Sequence, residues 1–271
     1  TQAQAFYFNQ ACGTSRFVYN WALAELNRQY DTGEKPKASE LRRQFNSIKY
    51  SLFPWLRDIH RDAHSQPFAN LDTAWNKHFQ AKDKRIRKPS FKKKGQRDSF
   101  YISNDKLRIE SGRIRLPIIG WIKLTEDLRF TGKIMSATVS RTADKWFVSI
   151  NVELDDPFKE RSGNEVVGID LGLTSALTTS DGTKVQSPKP LKKYLKKLKR
   201  NSKNLSKKQK GSKDREKAKQ KLARLHARIA NIRKDFLHKE ATKICRENQT
   251  IVLEDLHVKG MMKNHNLARA I

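Results

Sequence analysis

The chain has 271 residues, with 57 Lys plus Arg against 28 Asp plus Glu and a formal net charge of +29. No apolar run approaches a membrane span, no apolar signal segment is visible, and two cysteines, Cys12 and Cys245, exclude a disulfide framework and a Cys-rich zinc site within the chain. A chain this basic usually meets a polyanion, nucleic acid above all, and a cytoplasmic protein is the simplest reading.

Residues 1–80 carry helical periodicity. In "FNQACGTSRFVYNWALAELNRQY" the apolar positions Phe17, Trp21, Leu23 and Leu26 recur at helical spacing. "SELRRQFNSIKY" follows, with Ser39 as the expected N-cap. "RDAHSQPFANLDTAWNKHFQA" sets Phe68, Leu71, Ala74, Trp75 and Phe79 on one face, and core packing is expected for Phe68, Leu71 and Phe79. Pro67 suits the start of that helix or a kink in it. Arg61, Ser65 and Gln66 lie just upstream as polar residues that could face solvent or nucleic acid.

Residues 81–97 hold nine Lys or Arg and one Asp and read as a basic linker, with Lys88, Lys92, Lys93 and Lys94 as candidate phosphate contacts. From 98 to 156 the period changes to two. A Ser-Gly turn at 111–112 and a hairpin around Ala143-Asp144 predict a small β-barrel. Residues 155–165 read as a second linker. "VVGIDLGL" and "SALTTSDGTKV", with a turn at Asp181-Gly182, predict two or three adjacent antiparallel strands.

Residues 189–247 predict a helical hairpin broken at "GSKD" (211–214), with a seam of Leu222, Leu225, Ile229, Ile232 and Phe236. "TIVLEDL" (250–256) is a final strand carrying Glu254 and Asp255. The hairpin holds 23 Lys or Arg and four acids over residues 189–246, so two thirds of the excess charge sits on about a fifth of the chain. Self-repulsion of that size makes sense against a phosphate backbone, which gains by releasing counterions. Lys196, Lys199, Arg200, Lys207, Lys208, Arg224 and Arg228 are its candidate contacts.

Asp170 interrupts an apolar strand, where burial among Val167, Ile169 and Leu171 would fix its position. Such an aspartate before Gly172 can be structural, bonding the next turn. Glu254 lies 84 residues later on a second apolar strand. Two carboxylates on neighbouring strands repel unless a cation or proton lies between them. Mg²⁺, with Mn²⁺ as a substitute, prefers oxygen ligands and retains waters, so few carboxylates suffice. Ions so held can activate water against a phosphodiester. "GIDLG" also resembles the first phosphate motif of actin-like ATPases and sugar kinases, but the second "DxG" strand and Gly-rich adenosine loop do not follow residue 190.

Taken together, "GTSRFVYNWAL" (13–23), "ANLDTAWNKHF" (69–79), "KPSFKKK" (88–94), "GRIRLPIIGWIKL" (112–124), "GIDLGL" (168–173), "KLARLHARIANIRKDFLHKEATKI" (221–244) and "IVLEDLHVKGMMKN" (251–264) resemble the transposon-encoded TnpB (OrfB) proteins. These are RNA-guided DNA nucleases related to the type V CRISPR effectors. The resemblance implies an α+β multi-domain fold: a helical recognition lobe with a basic linker (1–94), a wedge-like β-barrel (95–160) and a partial RuvC-type, RNase H-like nuclease domain (164–271). It implies that Asp170 and Glu254 are catalytic metal ligands. Arg61, Ser65 and Gln66 fall where the lobe approaches the motif beside the target. Guide RNA and target DNA are the implied partners.

The family's opening β-strand, its zinc ribbon and its third catalytic Asp have no counterpart here, so truncation at both ends and an incomplete metal site are expected. A nuclease-deficient RNA-guided DNA binder and a plain basic RNA-binding protein are the alternatives to an RNA-guided endonuclease.

Overall fold

A single 30-residue helix, α1 (Gln2–Asp31), organises the first part of the molecule. The computed structural model describes residues 1–80, 87–155, 164–264 and 268. They fall into two compact units, residues 1–155 and 156–271. Residues 81–86 of the basic linker and 156–163 of the second linker lie outside the described residues.

In the first unit α1 is followed by α2 (Ala38–Leu52), a 3-10 turn (Pro54–Asp58) and α3 (Arg61–Gln80). The rear of α1 buries Val18, Tyr19, Ala22, Leu23 and Leu26 against Leu41 and Phe45 of α2 and Phe68, Leu71 and Trp75 of α3. Ser39 is not the cap of α2. The helix begins at Ala38, and Glu40 accepts a hydrogen bond from the Lys37 N–H at 2.9 Å, so the acid of the first turn satisfies an orphan amide in place of a hydroxyl. Pro67 sits inside α3, buried. Phe79 is the exception to the expected core face: it is 65% exposed, stacked on Trp75 at 5.2 Å, because the last turn of α3 runs past the helices that cover Phe68 and Leu71.

The front of α1 packs on a different surface. Tyr7, Phe8, Ala11 and Cys12 join Phe100, Ile102, Leu107, Ile114, Leu116, Ala137 and Val139 in a second core. The strands are β1 (Ser99–Ser103), β2 (Arg108–Glu110), β3 (Arg113–Leu116), β4 (Gly120–Lys123), β5 (Lys133–Thr142) and β6 (Lys145–Glu153). They form two three-stranded sheets, β1-β5-β6 and β2-β3-β4, each antiparallel. Among the described residues no strand pairing closes these sheets into the expected barrel. The strands of the second sheet span only three or four residues, and the apolar interior that a barrel would fill from its own strands is filled by side chains of α1. The two expected turns are present, with positive φ at Ser111, Gly112 and Ala143.

A buried polar network crosses this core. The Tyr7 hydroxyl donates to His60 Nδ1 at 2.9 Å, and His60 Nε2–H donates to the Tyr101 carbonyl at 3.0 Å. Asp62 accepts from the Ser103 N–H at 2.9 Å and from its hydroxyl at 2.6 Å. Burial lowers the His60 pKa, and burial with Lys49 and His60 nearby pushes His64 down to about 4. Both histidines are therefore neutral in the fold. Below the ordinary histidine pKa of about 6.5 the unfolded chain binds protons first, so stability is full above pH 6.5 and is lost as pH falls toward 4. The loss from His64 alone is on the order of 3 kcal/mol. Chemical denaturation between pH 7.5 and 4 measures it; His64→Gln should flatten the slope, and an unchanged slope would contradict the assignment.

In the second unit β7 (Asn164–Asp170), β8 (Leu177–Thr179) and β9 (Lys184–Val185) form an antiparallel meander. α4 (Pro190–Ser206) and α5 (Lys213–Glu247) are the expected helical hairpin, and β10 (Asn248–Leu253) returns to pair parallel with β7. The sheet order is β10-β7-β8-β9, as a helical crossover requires for a parallel neighbour. Val167, Ile169 and Leu177 are buried together with Ile244 of α5 and Ile251 packed against them. A short α6 (Val258–Met261) follows.

Candidate carboxylate site and basic surfaces

Because side chains alternate along a strand, β7 divides its residues between two faces. Val167 and Ile169 enter the core, while Val166 is 61% exposed on the other face. Asp170 shares that open face and is itself exposed; Leu171, just past the strand, is 45% exposed. The expected burial of Asp170 among Val167, Ile169 and Leu171 is thus corrected: the strand's core face fixes the backbone, and the carboxylate stands at the strand's end in solvent. The backbone is further tied by hydrogen bonds between Gly168 and Ser180, 2.8 Å from the Ser180 N–H to the Gly168 carbonyl and 3.2 Å from the Gly168 N–H to the Ser180 hydroxyl.

Register brings the second carboxylate to the same end. Ile251 pairs with Val167, Val252 with Gly168 and Leu253 with Ile169. Continued by one residue, that parallel register sets Glu254 beside Asp170. Glu254 is exposed too, and among the described residues neither carboxylate forms an ion pair. Adjacent parallel strands end together, the usual position for ligand groups in open α/β sheets. Two oxygen donors at one strand end suit a hard cation that keeps most of its waters. Among the described residues no group of three or more His, Cys, Asp or Glu is gathered that could hold a metal.

The hairpin presents its cations outward. Leu225 and Ile229 are buried in the seam, with Leu222, Ile232 and Phe236 half-buried. Lys196, Lys199, Arg200, Lys207, Arg224 and Arg228 are exposed and Lys208 is half-buried. Arg228 lies 5.3 Å over the Tyr194 ring, joining the two helices.

Arg215 has a different task. Its guanidinium donates to the Leu205 and Lys208 carbonyls at 3.0 and 2.7 Å, closing the end of α4, where orphan carbonyls and the helix dipole both favour a cation. The sequence does not mark Arg215 among so many cations; its place three residues after the Ser212 N-cap is the available signal. Arg215→Ala should destabilise the second unit by about 1–2 kcal/mol, read by thermal unfolding, whereas Lys217→Ala on the exposed face should be nearly silent.

In the first unit Arg61 is exposed, 3.6 Å from Asp62, and Ser65 and Gln66 are half-buried. Lys88, Lys93 and Lys94 are exposed. Lys92 is held in place. Its N–H donates to Asn20 Oδ1 at 2.7 Å, its carbonyl accepts from Asn20 Nδ2 at 2.9 Å, and its ammonium lies 4.0 Å over the Tyr19 ring. Partial desolvation there lowers the amine's pKa. Although much of the residue remains exposed, the charged end is already engaged.

These features place the chain among mixed α/β proteins with a strand-end carboxylate pair and a strongly basic helical hairpin. A family profile described as "Probable transposase" (the OrfB type of IS605 elements) matches residues 149–265, and its companion, described as "Helix-turn-helix domain", matches residues 1–35. The chain belongs to this OrfB transposase family. It is 37% identical to "Putative RNA-guided DNA endonuclease InsQ" of Escherichia coli (strain K12), over 93% of this chain and 63% of that protein. It is 35% identical to "Putative RNA-guided DNA endonuclease" of Streptomyces pristinaespiralis, over all of this chain and 68% of that one. The chain thus spans about two thirds of these relatives. A solved CRISPR-Cas12f ternary complex aligns with 98% of this chain and 65% of its own at 16% identity; its TM-score of 0.36 is too low to carry an argument.

Proposed function

We propose that this chain forms the larger part of a transposon-associated, RNA-guided DNA endonuclease acting in the cytoplasm. The observation that carries the reading is the parallel β7–β10 pair, whose register sends Asp170 and Glu254 to one strand end. In this reading the second unit is a RuvC-type, RNase H-like nuclease domain, and Asp170 and Glu254 hold Mg²⁺, or Mn²⁺ in its place. Bound there, the cation would supply Lewis acidity and a water of lowered pKa. The chain's own residues do the rest. The two carboxylates fix the place of hydrolysis on the target strand. The hairpin cations and Lys88, Lys93 and Lys94 hold guide-RNA phosphates, while Arg61, Ser65 and Gln66 approach the motif beside the target. Residues 1–94 act as the recognition lobe and 95–160 as the wedge-like part, although α1 serves the cores of both.

Sequence choice in such a protein rests on base pairing with the guide, which fits basic surfaces made for phosphates. The names of the two relatives support the same reading. The test is a plasmid carrying a target complementary to a supplied guide RNA. Cleavage should require guide, target and Mg²⁺ together, and should stop with EDTA. RNA binding with no metal-dependent cleavage at any length of the protein would leave a binder in place of a nuclease.

A further inference from the structure

We infer that the outer face of the β2-β3-β4 sheet is a platform for an unpaired nucleotide, with Trp121 stacking its base and flanking arginines holding its phosphates. The inference rests on the reading of the protein as RNA-binding and assigns a surface to it.

The sheet has two faces by alternation. Ile109, Ile114 and Ile122 face the core. The opposite positions form two cross-strand rows, Arg108–Arg115–Trp121 and Glu110–Arg113–Lys123, and all six residues are exposed. Four cations and one acid share this face. Arg108 lies directly across from Arg115, and Arg113 across from Lys123. Like charges directly opposite destabilise a sheet. Among the described residues none of the four cations has an ion-pair partner. Glu110 across from Arg113, with Glu126 and Asp127 lining one cleft with Arg113 and Lys123, offsets part of their repulsion, and a phosphate backbone would relieve more of it.

Trp121 supplies the second half of the argument. Trp21, Trp55, Trp75 and Trp146 each lie against another ring. Trp121 is 40% exposed, and among the described residues no ring or cation lies against its indole. The hairpin that presents it is strained. Ile118 adopts φ +67, and the Ile119 N–H reaches the Pro117 carbonyl at 2.7 Å. That is a γ-turn of the rare form, at a β-branched residue for which positive φ is costly. The turn leaves Ile118 64% exposed, three residues before Trp121. Free aromatic rings interleaved with unpaired cations are how single strands are bound without sequence readout. An acidic peptide would match the charge but gives no reason for an indole left 40% exposed with no ring against it.

The experiment uses the full chain and fluorescent (rU)12 and (dT)12, read by anisotropy over a salt series. Trp121→Ala should weaken binding tenfold or more with an unchanged salt slope, since stacking carries no charge. Trp121→Phe should recover much of the loss. Arg108→Ala with Arg115→Ala should lower the salt slope by about 1.4, the value for two phosphates of a single strand. Loss with (rU)12 alone assigns the face to RNA, and loss with both assigns it to single strands generally; either supports the inference. Normal wild-type binding with no change in Trp121→Ala overturns it while leaving the RNA-guided reading intact. No binding of either oligonucleotide by the wild type overturns the inference, while the RNA-guided reading stands or falls on guide-dependent plasmid cleavage. Trp121-sensitive binding of a labelled 12-residue poly-Glu at equal affinity would assign the face to acidic peptides and overturn it. All six positions are exposed, and matched thermal unfolding curves confirm that the variants fold.

Discussion

Asp170→Ala, made in a version extended to the length of the relatives, should abolish guided DNA cleavage. Loss of a group that merely orients a metal ligand typically costs 10- to 100-fold, so loss of the ligand itself should cost more than about a hundredfold. Asp170→Asn should be nearly as damaging, because the amide keeps the shape and loses the charge that attracts the cation. Glu254→Gln should behave alike. Guide RNA binding and guided DNA binding should survive, since they rest on other surfaces and on base pairing. The exposure of Asp170 makes this a clean experiment: a surface substitution typically moves stability by less than about 0.5 kcal/mol, so a lost activity is not a lost fold. Plasmid cleavage and RNA retention, measured on the same preparations, separate the two. Cleavage persisting in Asp170→Ala would remove the metal-site assignment.

The second large effect is on salt. If the basic surfaces engage six to ten phosphates, affinity for structured RNA should fall about 10³- to 10⁵-fold between 50 and 200 mM salt. Replacing Lys196, Lys199 and Arg200 together by Ala should lower the slope of log affinity against log salt by roughly two. Lys93→Ala with Lys94→Ala should lower it by about 1.4 on the same scale. Lys92→Ala should instead lower the melting temperature slightly, because the ammonium that lies on Tyr19 is lost while the backbone bonds to Asn20 remain. A flat salt response in the wild type would rule out the phosphate-contact role of the hairpin.

Much of the second unit can be read from its residues, because its determinants are local. The apolar run to Ile169, the turn at Asp181-Gly182, the break at Gly211 and the Leu225/Ile229 seam each name their own structure. That the strands leading to Asp170 and Glu254 pair in parallel and end together also followed from two short apolar runs, once the hairpin between them supplied a crossover, although β10 stops at Leu253, before Glu254. The exposure of Asp170 did not, because alternation gives two faces and says nothing of which one the helices will cover. In the first unit the determinants are distant. Which strands pair, and what fills the space between two small sheets, depends on Tyr7, Phe8 and Ala11, which are remote in sequence from the strands they pack on. The same holds for Phe79, whose exposure reflects where neighbouring helices stop. It holds as well for Lys92 and Arg215, whose neighbours come from other elements.

The long first helix sets a rule for how this lineage can change in length. Its front turns belong to one core and its rear turns to another, with Gly13 and Arg16 near the crossover. One residue inserted there would rotate the two sets of side chains by about 100° and part them by about 1.5 Å. Neither core could compensate without abandoning the other. A length change should therefore be tolerated in segments such as residues 32–37 and 124–132 and not within α1, which serves as the gauge block between the two cores.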